Sequence, residues 1–190
     1  MELKGSQTEK NLLTAFAGES QARNRYTYFA AKAREEGYEQ IAEIFIETAE
    51  NEREHAKVFF QYLEGGEAEV SASFPAGVIG DTAANLEAAA AGERYEHSQM
   101  YPEFARVAQE EGFAEIAKSY RAVAVVERQH EKRYNELLAN VREGKVFKKD
   151  DPVRWKCRNC GYVHTGKEPP DICPACRYAK NYFEILAENW

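Results

Sequence analysis

Residues 47–59 read ETAENEREHAKVF, and this stretch sets Glu52 and His55 three residues apart. On an α-helix, side chains at that spacing share one face. The same pair recurs 75 residues later as Glu127 and His130, within the stretch AVAVVERQHEKRY. A motif repeated at a nearly fixed offset indicates two copies of one structural unit.

Glycines mark the point where each copy turns back on itself. Gly37 in the first copy corresponds to Gly112 in the second, and most residues around them are good helix formers. Each copy is therefore expected to be a helical hairpin. Residues 65–80 are rich in glycine and read as a long crossover, which predicts a ferritin-like four-helix bundle. The helices are predicted at 6–36, 38–64, 81–111 and 113–143.

The composition changes near residue 149, where prolines, cysteines and aromatic residues replace the helical pattern. We predict an all-α bundle over residues 1–148 and a small irregular or β metal domain over residues 149–190. A domain of that size needs a staple such as a metal ion to stay folded.

Acidic residues occupy positions where the helical pattern predicts a core. Burying one uncompensated carboxylate costs several kcal/mol, so something positive must sit among them. Counted from the glycine turns, the acids of each hairpin also lie at matching heights. A single Glu-x-x-His is more often a solvated helix face, but two such motifs and two lone glutamates match the di-iron template. Such ligands suit iron or manganese. The predicted ligands are Glu19, Glu52, His55, Glu93, Glu96, Glu127 and His130.

Glu96 breaks the symmetry of the repeat, because Ala22 stands at the matching position. Four glutamates balance two ferrous ions, and a fifth carboxylate helps to offset the charge gained on oxidation. We therefore interpret Glu96 as a redox-responsive ligand, with a supporting acid outside the ligand set as the alternative. The repeat offset also grows from 74 at Glu93 to 75 at Tyr101. This extra residue predicts a π-bulge beside the metal site.

Two Cys-x-x-Cys pairs lie in the tail: Cys157 with Cys160, and Cys173 with Cys176. Four thiolates from two such turns fit a tetrahedral zinc or a single iron, and the spacing alone favours a zinc ribbon. Attachment to a di-iron bundle that needs an electron supply favours iron. Zinc remains possible in recombinant material.

Bulk properties exclude several functions. The net charge is −7 and there is no basic cluster, so nucleic-acid binding is not expected. No stretch is apolar enough for a membrane span, and the N-terminus lacks a signal-peptide core, so we expect a cytoplasmic protein. His97 is expected to point away from the metal site, and no role is assigned to it or to His164.

The whole chain resembles the rubrerythrin family, through LTAFAGESQARNRY, EREHAK, FPAG, CRNCGYVH and CPAC. The resemblance implies a rubredoxin-like iron domain in the tail. It also implies a hydrogen peroxide reductase that draws electrons from NADH through separate proteins, such as rubredoxin or an NADH-dependent reductase. One iron would move between Glu96 in the ferric state and His55 in the ferrous state. Arg94 and Tyr95 stand where histidines occur in some relatives, which alters the surroundings of the ligands but not the ligands themselves.

Two tyrosines are candidates for hydrogen bonds to the ligand carboxylates: Tyr26 and Tyr101, at equivalent inner positions, with plain core tyrosines as the alternative. His130 lies about 22 Å along its helix from the helix end, so the tail of one chain is expected to sit far from its own di-iron site. We therefore expect a head-to-tail homodimer with electron transfer between subunits.

Two rival functions stay open. A ferroxidase or iron-storage protein shares the bundle but has no evident use for the four-cysteine tail. A zinc-ribbon interaction protein explains the tail but leaves the buried acids unexplained.

Overall fold

A computed structural model describes residues 2–190 and consists of a helical bundle followed by a small sheet. The bundle is built from two hairpins, and a π-helical segment interrupts the first helix of the second. The helices are α1 (Gln7–Glu35), α2 (Glu39–Gln61), α3 (Thr82–Tyr95), the π segment (Glu96–Met100), α4 (Tyr101–Glu110) and α5 (Ala114–Arg142). The predicted bounds of the helices are therefore confirmed to within three residues. The predicted π-bulge beside the acidic residues is also confirmed.

Each hairpin begins and turns at residues suited to the purpose. Ser6 and Asp81 cap the first helix of each hairpin, and their side-chain oxygens accept backbone N–H groups at 3.0 and 2.7 Å. Gly37 and Gly112 sit at the turns with φ of +82° and +91°, a conformation that side chains with a Cβ rarely adopt. These local signals fix the length of the helices independently of the core.

Two equivalent clasps join the hairpins at opposite ends of the bundle. Glu36, at the end of α1, accepts the backbone N–H of Thr82 at 2.9 Å. Glu111, at the end of α4, accepts the backbone N–H of Thr8 at 2.8 Å and its hydroxyl at 2.6 Å. Each clasp sets a carboxylate at the positive end of a helix of the other hairpin, where the helix dipole favours it.

The hydrophobic core of the bundle is divided in two. One half lies toward the α1–α2 turn and includes Phe29, Phe45 and Leu86. The other half lies toward the α4–α5 turn and includes Leu12, Phe59 and Tyr120. The layer between them is acidic, so the fold presents the acids to one another inside the protein.

The tail is a three-stranded antiparallel sheet in the order β2-β1-β3, with strands β1 (Val153–Cys157), β2 (Val163–Gly166) and β3 (Phe183–Ile185). Trp155 and Phe183 are fully buried beside Cys157 and Cys173 and form its small core. The fold class is therefore a ferritin-like bundle with a small sheet domain.

The tail lies against the α1–α2 turn of the bundle. The ring of Phe147, in the linker, stacks on Tyr38 with centroids 6.2 Å apart. A Cβ added to Gly37 would lie 3.8 Å from the Cβ of Asn181. Over residues 2–190, no helix combines the length and the apolar character that crossing a membrane requires.

One inward position that the helical period predicts is wrong. The period of α1 predicts Arg23 on the core stripe with Glu19 and Tyr26, but its guanidinium is partly exposed and pairs with Glu50 at 3.6 Å. Glu96, in the π segment, is half-buried. Beyond that segment Tyr101, Ala105 and Ala108 are buried. Met100, the last residue of the segment, and Phe104 are partly exposed.

Candidate metal centres

The acidic layer brings six of the seven predicted bundle ligands together in two overlapping groups. The first is Glu19, Glu52, His55 and Glu127, and the second is Glu52, Glu93, Glu127 and His130. Within each group the potential ligand atoms all lie within 4.8 Å of one another. Glu52 and Glu127 belong to both groups, which suits residues that bridge two ions. We refer to these six residues as the cage.

The polar atoms of the cage point at a shared space rather than at one another. His55 Nδ1 and His130 Nδ1 each lie 2.9 Å from an oxygen of Glu127, yet neither nitrogen makes a hydrogen bond of acceptable angle. Both carboxylate oxygens of Glu52 and of Glu127 are likewise buried without a hydrogen-bond partner. Buried polar atoms in such number are normally satisfied, so this donor set fits a pair of metal ions.

The electrostatics of the cage lead to the same conclusion. Burial, followed by the nearby charge of Glu52, raises the pKa of Glu93 to about 8. Burial and the charges of Glu127 and Glu52 raise the pKa of Glu19 well above its usual value. Burial disfavours a charged His55, but the carboxylates of Glu127 and Glu52, each 2.9 Å from its Nδ1, raise its pKa to about 10. The negative charge of the buried carboxylates is therefore larger than the positive charge that the surrounding side chains supply.

Hydrogen bonds from outside the cage orient its members. Tyr26 donates from its hydroxyl to Glu93 at 2.5 Å, and Tyr101 donates to Glu19. Each tyrosine belongs to one hairpin and holds a carboxylate of the other. The His130 Nε2 lies 3.3 Å from the side-chain oxygen of Asn51, which orients the imidazole so that Nδ1 faces the cage.

Glu96 lies outside both groups, on the wall of a cavity of about 270 Å³ beside the cage. We call this space the side cavity. Its walls come from α1, the helix that contains the π segment, and the crossover. Burial and the charge of Glu93 raise the pKa of Glu96 well above its usual value, whereas Arg25 lowers it. The residues that line the side cavity include Gly18, Arg25, Phe74, Glu96, Met100 and Phe104.

The four cysteines of the tail form a second centre. The sulfur atoms lie within 4.8 Å of one another, and the pairs Cys157–Cys176 and Cys160–Cys173 are each 3.7 Å apart. A disulfide would bring two sulfurs to about 2.05 Å. By contrast, the edge of a tetrahedron with metal–sulfur bonds of about 2.3 Å is ~3.7–3.8 Å. The thiols therefore fit a tetrahedral metal ion.

The two cysteine turns have the same backbone plan. Gly161 follows the first Cys-x-x-Cys with φ +81°, and Arg177 stands at the same place in the second with φ +67°. The N–H of each of these residues donates to the carbonyl of the first cysteine of its own turn, at 2.8 and 2.9 Å. The repeated turn aims all four sulfurs at one point.

Three residues near the centres were not identified from the sequence. Asn51 immediately precedes Glu52, but the helical pattern gives no hint that it reaches His130. Arg25 borders the side cavity, although it precedes Tyr26 as one polar residue among many. Glu131 accepts hydrogen bonds from Arg94 and His97 at 2.6 Å, which agrees with the expectation that His97 points away from the cage.

Two family models match the chain. One, described as rubrerythrin, matches residues 10–138, and the other, described as the rubredoxin-like domain of rubrerythrin, matches residues 155–184. Rubrerythrin of Nitratidesulfovibrio vulgaris is 57% identical over 99% of this chain and 98% of its own. Rubrerythrin of Porphyromonas gingivalis is 60% identical over 99% of this chain and 94% of its own.

Solved structures give the same result. Nigerythrin in a mixed-valence state aligns with a TM-score of 0.62 at 34% identity, covering 96% of this chain and 90% of its own. Reduced symerythrin from Cyanophora paradoxa aligns with a TM-score of 0.63 at 26% identity, covering 71% of this chain and 85% of its own. The tail is thus of the rubredoxin-like type, which removes the zinc-ribbon alternative for its fold.

Proposed function

Because the chain belongs to the rubrerythrin family of di-iron oxidoreductases, we propose that it reduces hydrogen peroxide to water in the bundle, with electrons relayed by the four-cysteine domain. The observation that carries the proposal is the cage itself, whose buried carboxylate and imidazole atoms are unpartnered. Tyr26 lines the side cavity and is hydrogen-bonded to Glu93 of the cage. A store of two electrons next to a space for a small substrate suits the two-electron cleavage of an O–O bond.

The ligand roles follow from membership of the two groups. Glu52 and Glu127 would bridge the two ions, with Glu19 and His55 at one ion and Glu93 and His130 at the other. When bound, the iron ions supply the two electrons that convert one peroxide and two protons into two water molecules. Glu96 is the residue proposed to enter the ligand set, in exchange with His55, when the site is oxidised.

Side chains of the protein orient the ligand carboxylates and transfer protons. Tyr26 and Tyr101 fix the carboxylates of Glu93 and Glu19, so the cage keeps its shape when its charge changes. Glu96 stands between the side cavity and the cage and is proposed to hand protons to the departing oxygen atoms. The apolar halves of the core exclude bulk water from the layer between them.

The position of the tail supports electron transfer between subunits. The tail contacts the α1–α2 turn, and Glu52 lies thirteen residues after Glu39, which is about 20 Å along α2. We therefore propose a head-to-tail homodimer, in which the tail of one chain serves the cage of the other. A rubredoxin or an NADH-dependent reductase would then reduce the tail, which suits a cytoplasmic protein.

The test is anaerobic mixing of the fully reduced protein with hydrogen peroxide, following the absorbance of the thiolate-bound iron. We expect rapid oxidation of the tail iron with one peroxide consumed for every two electrons. The matched control is Glu127→Ala, whose tail is intact but whose cage lacks a bridging ligand. Tail oxidation no faster than in this control would refute the proposal and favour a ferroxidase.

A further inference from the structure

We propose that the side cavity binds the organic group of an alkyl hydroperoxide, so that the protein reduces such peroxides as well as hydrogen peroxide. This inference rests on the proposed function, because it uses the same cage and the same electron supply. What it adds is a second class of substrate and the residues that select it.

The side cavity is larger than hydrogen peroxide requires. The side cavity has a volume of about 270 Å³. A water molecule occupies ~30 Å³ of the liquid, so the space equals roughly nine waters. Hydrogen peroxide has only two heavy atoms and would fill a small part of it. The remainder can hold a hydrocarbon group of several carbon atoms.

The polarity of the lining side chains changes along the side cavity. Gly92, Glu96, Met100 and Phe104 follow one another at four-residue steps and all line it. Phe104 therefore lies roughly 12 Å further along the helix axis than Glu96. Arg25 and Glu96 are at one end, and Met100 and Phe104 are at the other, with Thr14 as the polar neighbour there. A molecule with a polar head and an apolar body matches this gradient.

The crossover covers the apolar end of the side cavity. Phe74, from the crossover, also lines the side cavity, and its Cε1 lies 3.7 Å from the position that a Cβ on Gly18 would take. The aromatic ring therefore packs against this point of α1, at a distance that would be an ordinary van der Waals contact for a Cβ. Thr14 and Gly18 lie on the stretch of α1 that runs alongside Met100 and Phe104, so the ring covers the apolar end.

The polar end of the side cavity is joined to the cage through Tyr26. Tyr26 lines the side cavity and donates a hydrogen bond to Glu93, a cage residue, at 2.5 Å. A hydroperoxide whose organic group lies against Met100 and Phe104 would present its oxygens at Glu96 and Tyr26. The reacting bond and the organic group therefore have separate places.

The reaction balances with the electron supply already proposed. The O–O bond of ROOH breaks, two electrons and two protons are taken up, and the products are the alcohol ROH and one water. The electrons would come from the two ferrous ions held by the cage and would be restored by a one-electron donor of the thiolate-iron class. No bond to carbon changes, so the organic group contributes only binding.

The experiment compares kcat/KM of the holoprotein for hydrogen peroxide, tert-butyl hydroperoxide and cumene hydroperoxide. We expect cumene hydroperoxide to be reduced, with kcat/KM at least about tenfold above that for tert-butyl hydroperoxide, because the phenyl ring buries more apolar area. As a second readout, titration calorimetry should detect binding of 2-phenyl-2-propanol, the unreactive product, to the oxidised holoprotein.

Two variants test the assigned walls. Phe74→Ala should lower the ratio of kcat/KM for cumene hydroperoxide to that for hydrogen peroxide by roughly three- to tenfold, through KM, because one aromatic contact is lost. Met100→Trp should lower the same ratio further by filling the apolar end. Val78→Ala is the matched control, since Val78 lies on the same crossover, is highly exposed and does not line the cavity.

The outcomes separate the two proposals. Normal turnover of hydrogen peroxide without turnover of cumene hydroperoxide would overturn this inference and leave the proposed function standing. So would an unchanged ratio in both Phe74→Ala and Met100→Trp. Failure with every peroxide would refute the proposed function as well. Iron content and circular dichroism of each variant show whether it has folded.

Discussion

The two hairpins of the bundle share one plan and differ in one stretch. Both carry a lone glutamate, a Glu-x-x-His pair, a tyrosine that bonds across to the other hairpin, and a clasp at the end of the first helix. Only the second hairpin has the π segment and the extra acid Glu96. The symmetric parts build a place for two ions, whereas the asymmetric part borders the cavity through which a substrate would meet them.

The extra residue lets the second hairpin keep its contacts with the first and also place Glu96 at the side cavity. Before the π segment, Glu93 faces the cage, and after it Tyr101 is again placed to bond Glu19. Tyr101 thereby occupies the position equivalent to Tyr26. Between these two residues the helix turns Glu96 toward the side cavity. An insertion of one residue thus adds a new face without disturbing the symmetric contacts on either side.

The largest effect is expected where the hairpins are most alike. Glu127→Ala and Glu52→Ala each remove a carboxylate that belongs to both groups, so each should abolish binding of the iron pair and lower peroxide turnover by more than about a thousandfold. Iron per chain and steady-state kinetics provide the measurement. Glu54→Gln, an exposed change nearby, should alter neither. Retention of two irons in either alanine variant would contradict the bridging role.

Deleting Gln99 should remove the asymmetry and have the next largest effect. One residue fewer lets the helix continue as a regular α-helix, in which Tyr101 follows Glu93 by seven residues, as Tyr26 follows Glu19. The bond from Tyr101 to Glu19 should therefore survive, whereas Glu96 should turn to the position of Ala22 and leave the side cavity. We expect turnover to fall by roughly a hundredfold and the crystal structure to show a regular α-helix across the former π segment. Gln99→Ala keeps the length and should behave as the parent protein does. A deletion variant with full activity would show that the π segment is dispensable.

Removing the two tyrosine hydroxyls should have smaller, matched effects. Tyr26→Phe and Tyr101→Phe each leave a buried carboxylate oxygen without its donor, and iron affinity should fall about tenfold in each. Competition with a chelator measures that affinity. Because the tyrosines are equivalent, the two losses should agree within about threefold. A large difference would show that the hairpins hold their ions unequally.

The smallest effect concerns a contact that the first hairpin lacks. Glu131 joins the π segment to α5 through His97 and Arg94, whereas Ala56 occupies the equivalent position of α2. Glu131→Gln should reduce the free energy of unfolding by about 0.5–1 kcal/mol, as expected for a partly exposed ion pair. Urea unfolding measures it. A change larger than about 3 kcal/mol would mean that the π segment depends on this single anchor.

Periodic features were accessible from the sequence, and features that depend on tertiary placement were not. The helices, the cage residues and the π segment all follow from spacing, because a helix converts spacing into direction. Arg23 was misplaced because a regular pattern cannot tell a core position from one at the edge of the stripe. Asn51 and the side cavity were missed since they arise where separate segments meet. The position of Phe74 over Gly18 depends on the path of a crossover that has no period.

The two clasps place no constraint on the order in which the two hairpins follow one another along the chain. Both connect one hairpin to the other, from Glu36 to Thr82 and from Glu111 to Thr8, and neither joins two helices of the same hairpin. The crossover is therefore a tether between two self-complementary halves, and the clasps do not depend on which half comes first. A circular permutant that begins at α3 and ends with α2 would preserve every contact between the halves. In topological terms, the bundle is an intramolecular dimer.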